Sequence, residues 1–407
     1  MMQREAVSSA ARMLAWRTHC YGPLAELRLD EARVPPLRAP DQLLVRVRTT
    51  SINPLDVAML GGYGARMLNV ARSLEGVGGA GGTEVEFPLV VGRDVCGEVV
   101  RAGAGSRLRG RVWGVLPPHW PGAHAQYVVL RDRWASAAPA CLSDAEAGGA
   151  LYAALSACAA LRAAGLPPRP PAARSPRAPR VLLLGLGGVG HAALQLLVYS
   201  GAQVIVGCSG DLCPRAMSLG ASAAFDRHSP DYDRLLEESG PYEAILDCAG
   251  LGGAEAGARR WRFARYVTLS APLLRDADAN GPLPGAARAL ATLAQHTAAA
   301  HAAGVVTPGS VAPVRWAFFS PCTEDLQLLR KLADAGKFKV EVERVFPWWA
   351  GAQAYEHAAT HSARGKLLLD FTATPAPPEQ HAPPEQHAPP EQHAPPAAPP
   401  PARTGHT

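Results

Sequence analysis

The chain has 407 residues, 48% apolar and 18% charged, with 40 glycines, 38 prolines and a formal net charge of +5. That length allows two or three domains with real apolar cores. Five arginines between Arg162 and Arg180, with no acid among them, supply the whole positive excess, so no protein-wide basic field and no nucleic-acid partner are expected.

Residues 1–12 contain Arg4, Arg12 and two serines but also Glu5, and no secretory apolar core, so they read as a remnant of a targeting segment. Residues up to about 135 read as β-rich. "QLLVRVRTTSIN" (42–53) alternates apolar and polar residues, as a half-buried strand does. "VVGRDVCGEVVRAGAG", "GRVWGVL" and "AQYVVLRDRW" follow as strands with glycine turns, the pattern of a partly closed barrel. "GVGGAGGTE" (76–84) reads as a flexible loop. From Asp144 the period becomes helical, with Ser143 as N-cap. "LPPRPPAARSPRAPR" (166–180) cannot be a helix and reads as a solvated insertion. Strands and helices then alternate: "VLLLG", "VGHAALQLLVYSG", "QVIVGCS", "LCPRAMSLGA", "AAFD", "YDRLLEESG", "YEAILDCAG", "AEAGARRWRF" and "RYVTLSAP". Repeated βα units imply an α/β fold with a doubly wound parallel sheet. After residue 373 a "PPEQHA" repeat bars helix and ladder, so a disordered or polyproline tail is expected. His381, His387 and His393 read as by-products of that repeat.

No Asp, Glu, Lys or Arg lies between Val181 and Gly210, a run long enough to cross a bilayer. Its glycines fall where a βαβ unit needs turns, and buried parallel strands are uniformly apolar, so a soluble sheet is the better reading. Gly185, Gly187 and Gly190 satisfy G-x-G-x-x-G between a strand and a helix, the fingerprint of a dinucleotide pyrophosphate site. The next strand ends in Gly207, Cys208 and Ser209 where NAD sites place an acid. A small hydroxyl there suits a 2′-phosphate, with Arg215 and Arg227 as cationic partners or, equally, as solvated surface arginines. Eight scattered cysteines with no CxxC pair argue against a disulfide framework and for a reducing compartment.

Several strings carry a resemblance: "SINPLDVAMLGGYGA" (51–65), "FPLVVGRDVCGEV" (87–99), "YVTLSAP" (266–272), "VRWAFF" (314–319), "LADAGK" (332–337) and "ARGKLLLD" (363–370). Together they resemble the zinc-free quinone oxidoreductase branch of the medium-chain dehydrogenase/reductase superfamily, and in particular its mitochondrial members named for a reticulon partner. The resemblance spans roughly residues 13–371 outside the insertions. It implies a GroES-like β-barrel catalytic domain over 13–150, resumed over 313–372, a Rossmann domain over 151–312 and a tail over 373–407. It also implies NADPH, a mitochondrial location with a leader that is weak or truncated here, a link to coenzyme Q biosynthesis, and a membrane-protein partner of the reticulon kind. By the same resemblance Gly187, Gly188, Val189 and Gly190 lie under the pyrophosphate, and Ser209 and Arg227 approach the 2′-phosphate. Arg227 stands where the branch usually has Tyr, and a common Lys after Ser209 is missing, with Arg215 as partial replacement. Leu269, Trp316, Phe318, Ala363, Arg364 and Lys366 would line the nicotinamide half, joined by Tyr152 and Ser156 from the entering helix.

The alcohol dehydrogenase branch has Gly-His-Glu where this chain has Gly92-Arg93-Asp94, and Cys96 lacks a histidine at ligand spacing. His119 and His124 fall in a Pro/Gly-rich loop. The reading is therefore metal-free, which leaves hydride transfer to a quinone or an α,β-unsaturated carbonyl. Tyr63 is the first candidate to donate a proton or polarise the acceptor oxygen, against a packed loop tyrosine. Asn53 and Asp56 are candidates to orient the site, though Asn53 before Pro54 also suits a turn. Ser156 also suits a hydroxyl bonded back to its own helix. Two other readings stay open: a NADPH-binding interaction or sensor protein with little turnover, and an enoyl-thioester reductase.

Overall fold

The computed structural model describes residues 11–76, 86–170, 178–361 and 364–375. Residues 1–10 of the leader, the glycine loop beyond Gly76, the centre of the Pro/Arg insertion, Ala363 and the histidine repeat lie outside the described residues.

The chain begins with β1 (Arg12–Thr18), β2 (Arg28–Arg33), β3 (Gln42–Ile52), α1 (Pro54–Leu60), α2 (Ala65–Leu74), β4 (Leu89–Val90), β5 (Asp94–Ala102), β6 (Gly110–Val115), β7 (Tyr127–Arg131), β8 (Ala135–Ala137) and α3 (Asp144–Ala163). There follow β9 (Arg180–Leu184), α4 (Gly188–Tyr199), β10 (Gln203–Cys208), α5 (Cys213–Ser218), β11 (Ala223–Asp226), α6 (Tyr232–Glu238), β12 (Tyr242–Asp247) and α7 (Glu255–Ala258). The remainder is β13 (Phe263–Thr268), α8 (Leu273–Asn280), α9 (Pro282–Ala302), β14 (Val314–Trp316), α10 (Thr323–Asp334), β15 (Val342–Pro347), α11 (Gly351–Thr360) and β16 (Lys366–Asp370).

Six strands form a parallel sheet in the order β11-β10-β9-β12-β13-β14. Counted along the chain this is 3-2-1-4-5-6, the doubly wound dinucleotide order, with its switch point between β9 and β12. A second sheet runs β15-β16-β3-β5-β6-β8, with β7 also on β3. Within it β3 bonds β5 on one side and both β7 and β16 on the other. The last strand of the chain thus closes onto one of the first. The strands β2-β1-β4 make a small third sheet.

The helix α3 joins the two large sheets. Ser143 caps it as its sequence predicts: Glu146 N–H donates to the Ser143 hydroxyl, and Ser143 N–H donates back to the Glu146 carboxylate at 2.8 Å. Its buried face packs with Cys96, Trp113 and Val115 of the antiparallel sheet and with Val181, Leu183, Val204 and Val206 of the parallel one. Burying Leu151, Leu155 and Leu161 there contributes about 1.5–3 kcal/mol each. The uncharged run owes its composition to this position. The side chains of β9 from Val181 to Leu184 are buried, and so are those of α4 from Gly190 to Leu197. Among the described residues no helix is long and apolar enough to cross a membrane.

Two details differ from the sequence expectation. The helix expected over "AEAGARRWRF" stops at Ala258, because Arg259 turns to an extended φ of −113° and carries Trp261 and Phe263 into the core. The helices α1, α2, α8, α9, α10 and α11 add to those the periodicity predicts.

Candidate active site

The glycine turn sits at the switch point of the parallel sheet. Gly185 leaves β9 with φ +88°, a left-handed backbone that side chains disfavour. Gly187 opens α4 in an extended conformation, and a Cβ there would meet nothing within 4 Å. Gly190 is the opposite case: its Cβ would collide with the Gly185 carbonyl, so only glycine lets the helix lie this close to the strand. Val189 is partly buried between them. Such a cradle is the kind that takes a dinucleotide, whose phosphates the N–H groups of the first helical turn would meet. Across the switch point the fully buried Asp247 shapes the end of β12. Its carboxylate accepts N–H donations from Ala249, Gly250, Leu251 and Gly252 at 2.8–3.1 Å and a bond from the Thr268 hydroxyl at 2.8 Å.

Gly187, Gly188, Arg215, Glu341, Arg364 and Lys366 line one cleft. Two ion pairs cross its rim: Arg215 to Glu341 at 2.6 Å and Arg364 to Asp211 at 2.8 Å. Arg215 also donates to the Arg364 carbonyl at 2.8 Å. These half-exposed pairs contribute at most about 1 kcal/mol each. The two arginines singled out in the sequence therefore divide. Arg215 is engaged by Glu341. Arg227 is exposed, with its Nε 3.2 Å from the His228 ring and no carboxylate paired to it among the described residues. Its N–H bonds the Cys208 carbonyl at 2.8 Å, which sets it beside Ser209. The Asp226 carboxylate lies against Gly210 at the same strand ends.

At the inner wall of the cleft is a buried polar cluster centred on Asp94. One Asp94 oxygen accepts the Tyr152 N–H at 2.5 Å. The other accepts the Ser51 hydroxyl at 2.5 Å and the Asn53 amide at 3.1 Å, and lies 3.4 Å from Lys366 Nζ. Lys366 Nζ donates to Asn53 Oδ1 at 2.5 Å. Asn53 thus faces the cleft through Lys366. Asp56 does not: it is fully buried, accepts the Asn53 N–H at 2.9 Å and the Gly92 N–H at 2.8 Å, and lies 3.4 Å from Arg93 Nε. Ser156 bonds back to the Tyr152 carbonyl at 2.7 Å. Burial raises the Tyr152 phenol well above its ordinary range, with the Asp56 charge adding to the shift. Tyr63 is partly buried, and burial raises its phenol too, against the field of Arg275. Its loop is pinned to α8, since Gly64 and Arg66 N–H donate to the Asp278 carboxylate at 2.6 and 3.1 Å.

The remaining lining candidates separate. Leu269 follows β13 and is partly buried. Trp316 and Phe318 lie in a different surface depression with Arg162, Cys322 and Asp325. It is Phe319 whose ring packs on Tyr152, at 4.5 Å between centroids. Asp94, Asp247 and Phe319 are the site residues that sequence reasoning passed over. The only local signal for Asp94 is its place in the "GRD" string.

Arg93 is fully buried. Its guanidinium donates to the carbonyls of Pro117 at 2.8 Å, Trp120 at 2.9 Å and Val90 at 3.3 Å. The neighbouring His124 bridges the Ser51 carbonyl and the Tyr355 hydroxyl, and burial lowers its pKa, keeping it neutral. Burial pushes the Cys96 thiol up to about 12.

Residues 39–140 match the family described as alcohol dehydrogenase GroES-like domain, and residues 219–369 the family described as zinc-binding dehydrogenase. A Drosophila melanogaster protein named "NAD(P)H oxidoreductase RTN4IP1, mitochondrial" is 36% identical over 89% of this chain and 87% of its own. A Caenorhabditis elegans protein named "Reticulon-4-interacting protein 1, mitochondrial" is 30% identical over 91% and 98%. The solved quinone oxidoreductase of Coxiella burnetii shares the fold, with a TM-score of 0.66 at 24% identity over 88% of this chain and 99% of its own. Among the described residues no three His, Cys, Asp or Glu are grouped so that they could hold a metal ion.

Proposed function

The chain belongs to the mitochondrial NAD(P)H oxidoreductase family of the medium-chain dehydrogenase/reductase superfamily, and from that premise we propose a zinc-independent, NADPH-dependent reductase of quinones or α,β-unsaturated carbonyls. The observation that carries this reading is Arg93, a fully buried guanidinium where the resemblance gives the alcohol dehydrogenase branch a histidine, and the acceptors proposed are those electrophilic without a Lewis acid. The bound nicotinamide supplies the hydride. The chain's own residues bind and orient. The turn at Gly185–Gly190 holds the pyrophosphate, while the Ser209 hydroxyl and Arg227 hold the 2′-phosphate. Lys366, steadied by Asn53 and Asp94, fixes the inner end of the cofactor. Like any tyrosine, Tyr63 and Tyr152 carry their phenol protons at neutral pH, so either would hydrogen-bond the oxygen that gains charge. Domain limits at 13–150 with 313–372, and at 151–312, belong to the same reading, with Gly148 and Gly149 letting the joining helix approach β3 and Lys366. The relatives' names support a mitochondrial location and a reticulon partner.

The test is NADPH consumption by the purified chain with a short-chain quinone, with and without a chelator, and with NADH in parallel. Quinone-dependent turnover that survives the chelator and prefers NADPH is expected. Loss of turnover to the chelator overturns the zinc-independent reading. Tight NADPH binding without turnover across quinones and enones returns the protein to the sensor class.

A further inference from the structure

The end of β10 brings two thiols together. Cys208 is the last residue of that strand, and Cys213 is the first of α5, after a single turn of Ser209–Leu212. Their sulfurs are 3.8 Å apart, in van der Waals contact. Cys208 is buried, while Cys213 is partly exposed and so offers an entry point to a small oxidant. The other described thiols have no sulfur partner at such a distance. We propose that Cys208 and Cys213 are a reversible thiol–disulfide site.

With a hydroperoxide as oxidant the chemistry balances. The Cys213 sulfur attacks the peroxide, an S–O bond forms, the O–O bond breaks, and one water or alcohol leaves. Cys208 then gives up its thiol proton as its sulfur attacks Cys213, the S–S bond forms, the S–O bond breaks, and the departing hydroxide takes up that proton as water. Two electrons pass from the dithiol to the peroxide. The sulfurs must close from 3.8 Å to about 2.05 Å. The bridge would enclose only a short loop, so little chain entropy resists its reduction, as suits a labile rather than a structural bond.

The site lies beside the nucleotide region. Ser209 stands between the two cysteines, the Arg227 N–H is bonded to the Cys208 carbonyl, and Asp211 in the intervening turn pairs with Arg364. Closure therefore reshapes the turn that would hold the 2′-phosphate, and a bound dinucleotide covers it. This consequence rests on the functional reading above; the disulfide does not.

Residues 181–215 form a single tryptic peptide whose only cysteines are 208 and 213. The full chain is treated with hydrogen peroxide, unfolded in denaturant, alkylated with N-ethylmaleimide and digested. The expected peptide is unlabelled and lighter by two hydrogens, and dithiothreitol restores both labels. Cys213→Ser leaves Cys208 labelled, and Cys208→Ala leaves Cys213 labelled or oxidised alone. Full labelling of both, or a sulfinic Cys213 without the bridge, under conditions that oxidise the exposed Cys20 and Cys141, overturns the proposal. NADPH titration of reduced and oxidised chains runs beside it, with weaker binding expected after oxidation in the wild type only. A reduced chain that binds no dinucleotide overturns the functional reading, while the mass of the peptide still decides the disulfide.

Discussion

Two glycines of the same turn make opposite demands, and substituting each by alanine separates folding from binding. In Gly190→Ala the new Cβ would lie 3.0 Å from the Gly185 carbonyl carbon, and closer still to its oxygen. The oxygen is the tighter contact, and clearing it to an ordinary carbon–oxygen separation of about 3.3 Å requires α4 to move from β9 by more than about 1 Å. Such overpacking costs about 1–3 kcal/mol, offset by about 0.5–1 kcal/mol from replacing a helical glycine with alanine. The net expectation is a loss of about 1–2 kcal/mol, read as a lower urea midpoint. In Gly187→Ala the Cβ meets nothing within 4 Å and the backbone φ of −72° suits any residue, so stability stays within about 0.5 kcal/mol of wild type. The methyl group instead stands where a pyrophosphate must approach, and NADPH affinity falls at least about tenfold, near 1.4 kcal/mol. Urea unfolding and a fluorescence titration with NADPH read the two effects on the same preparations. A Gly187→Ala chain that binds as wild type does removes the turn from the cofactor site. A Gly190→Ala chain of unchanged stability refutes the close helix–strand contact.

Arg93→Leu leaves the Asp56 carboxylate buried without its cation and is expected to cost about 3–5 kcal/mol, checked by urea unfolding against Arg234→Leu at the surface. Glu341→Gln releases Arg215 toward the 2′-phosphate, and should raise NADPH affinity by up to about fivefold with no change for NADH, the scale of one exposed ion pair. An equal effect on both cofactors would place Arg215 elsewhere. Burial lowers the His191 pKa to about 4, and its neutral ring lies 3.1 Å from the Gln195 amide. The unfolded chain binds this proton first, so His191 contributes stability above its ordinary value of 6.5, lost as pH falls toward about 4. The slope is at most about 1.4 kcal/mol per pH unit, and unfolding of His191→Gln across that window should show a shallower one.

Local rules made some of this architecture legible and left the rest hidden. The spacing of Gly185, Gly187 and Gly190, the Ser143 cap and the apolar β9–α4 run each depend on residues a few positions apart, and each stands where the pattern put it. The partner of a charge is a different kind of fact. Asp94 meets Lys366 across 272 positions, and Arg215 meets Glu341 across 126. Nothing in the neighbourhood of either arginine in the sequence says that Arg215 is engaged and Arg227 is not. The same holds for Phe318 and Phe319, adjacent in sequence and facing different surroundings because only one stacks on Tyr152. The helix α9 has few large apolar residues and buries only Gly285, Ala289 and Ala300, so its amphipathic signal is faint.

The pairing of β16 with β3 bears on how the molecule comes into being on the ribosome. β3 is made early, yet its edge at Thr49–Ile52 has no partner until Leu367–Asp370 have emerged, more than three hundred residues later. Through most of synthesis that edge is open to other strands, the condition under which nascent chains misassemble. Lys366 arrives on the same late strand. The inner wall of the cleft is therefore among the last parts to be assembled, and a chain cut short before β16 would carry an intact glycine turn facing an unfinished pocket.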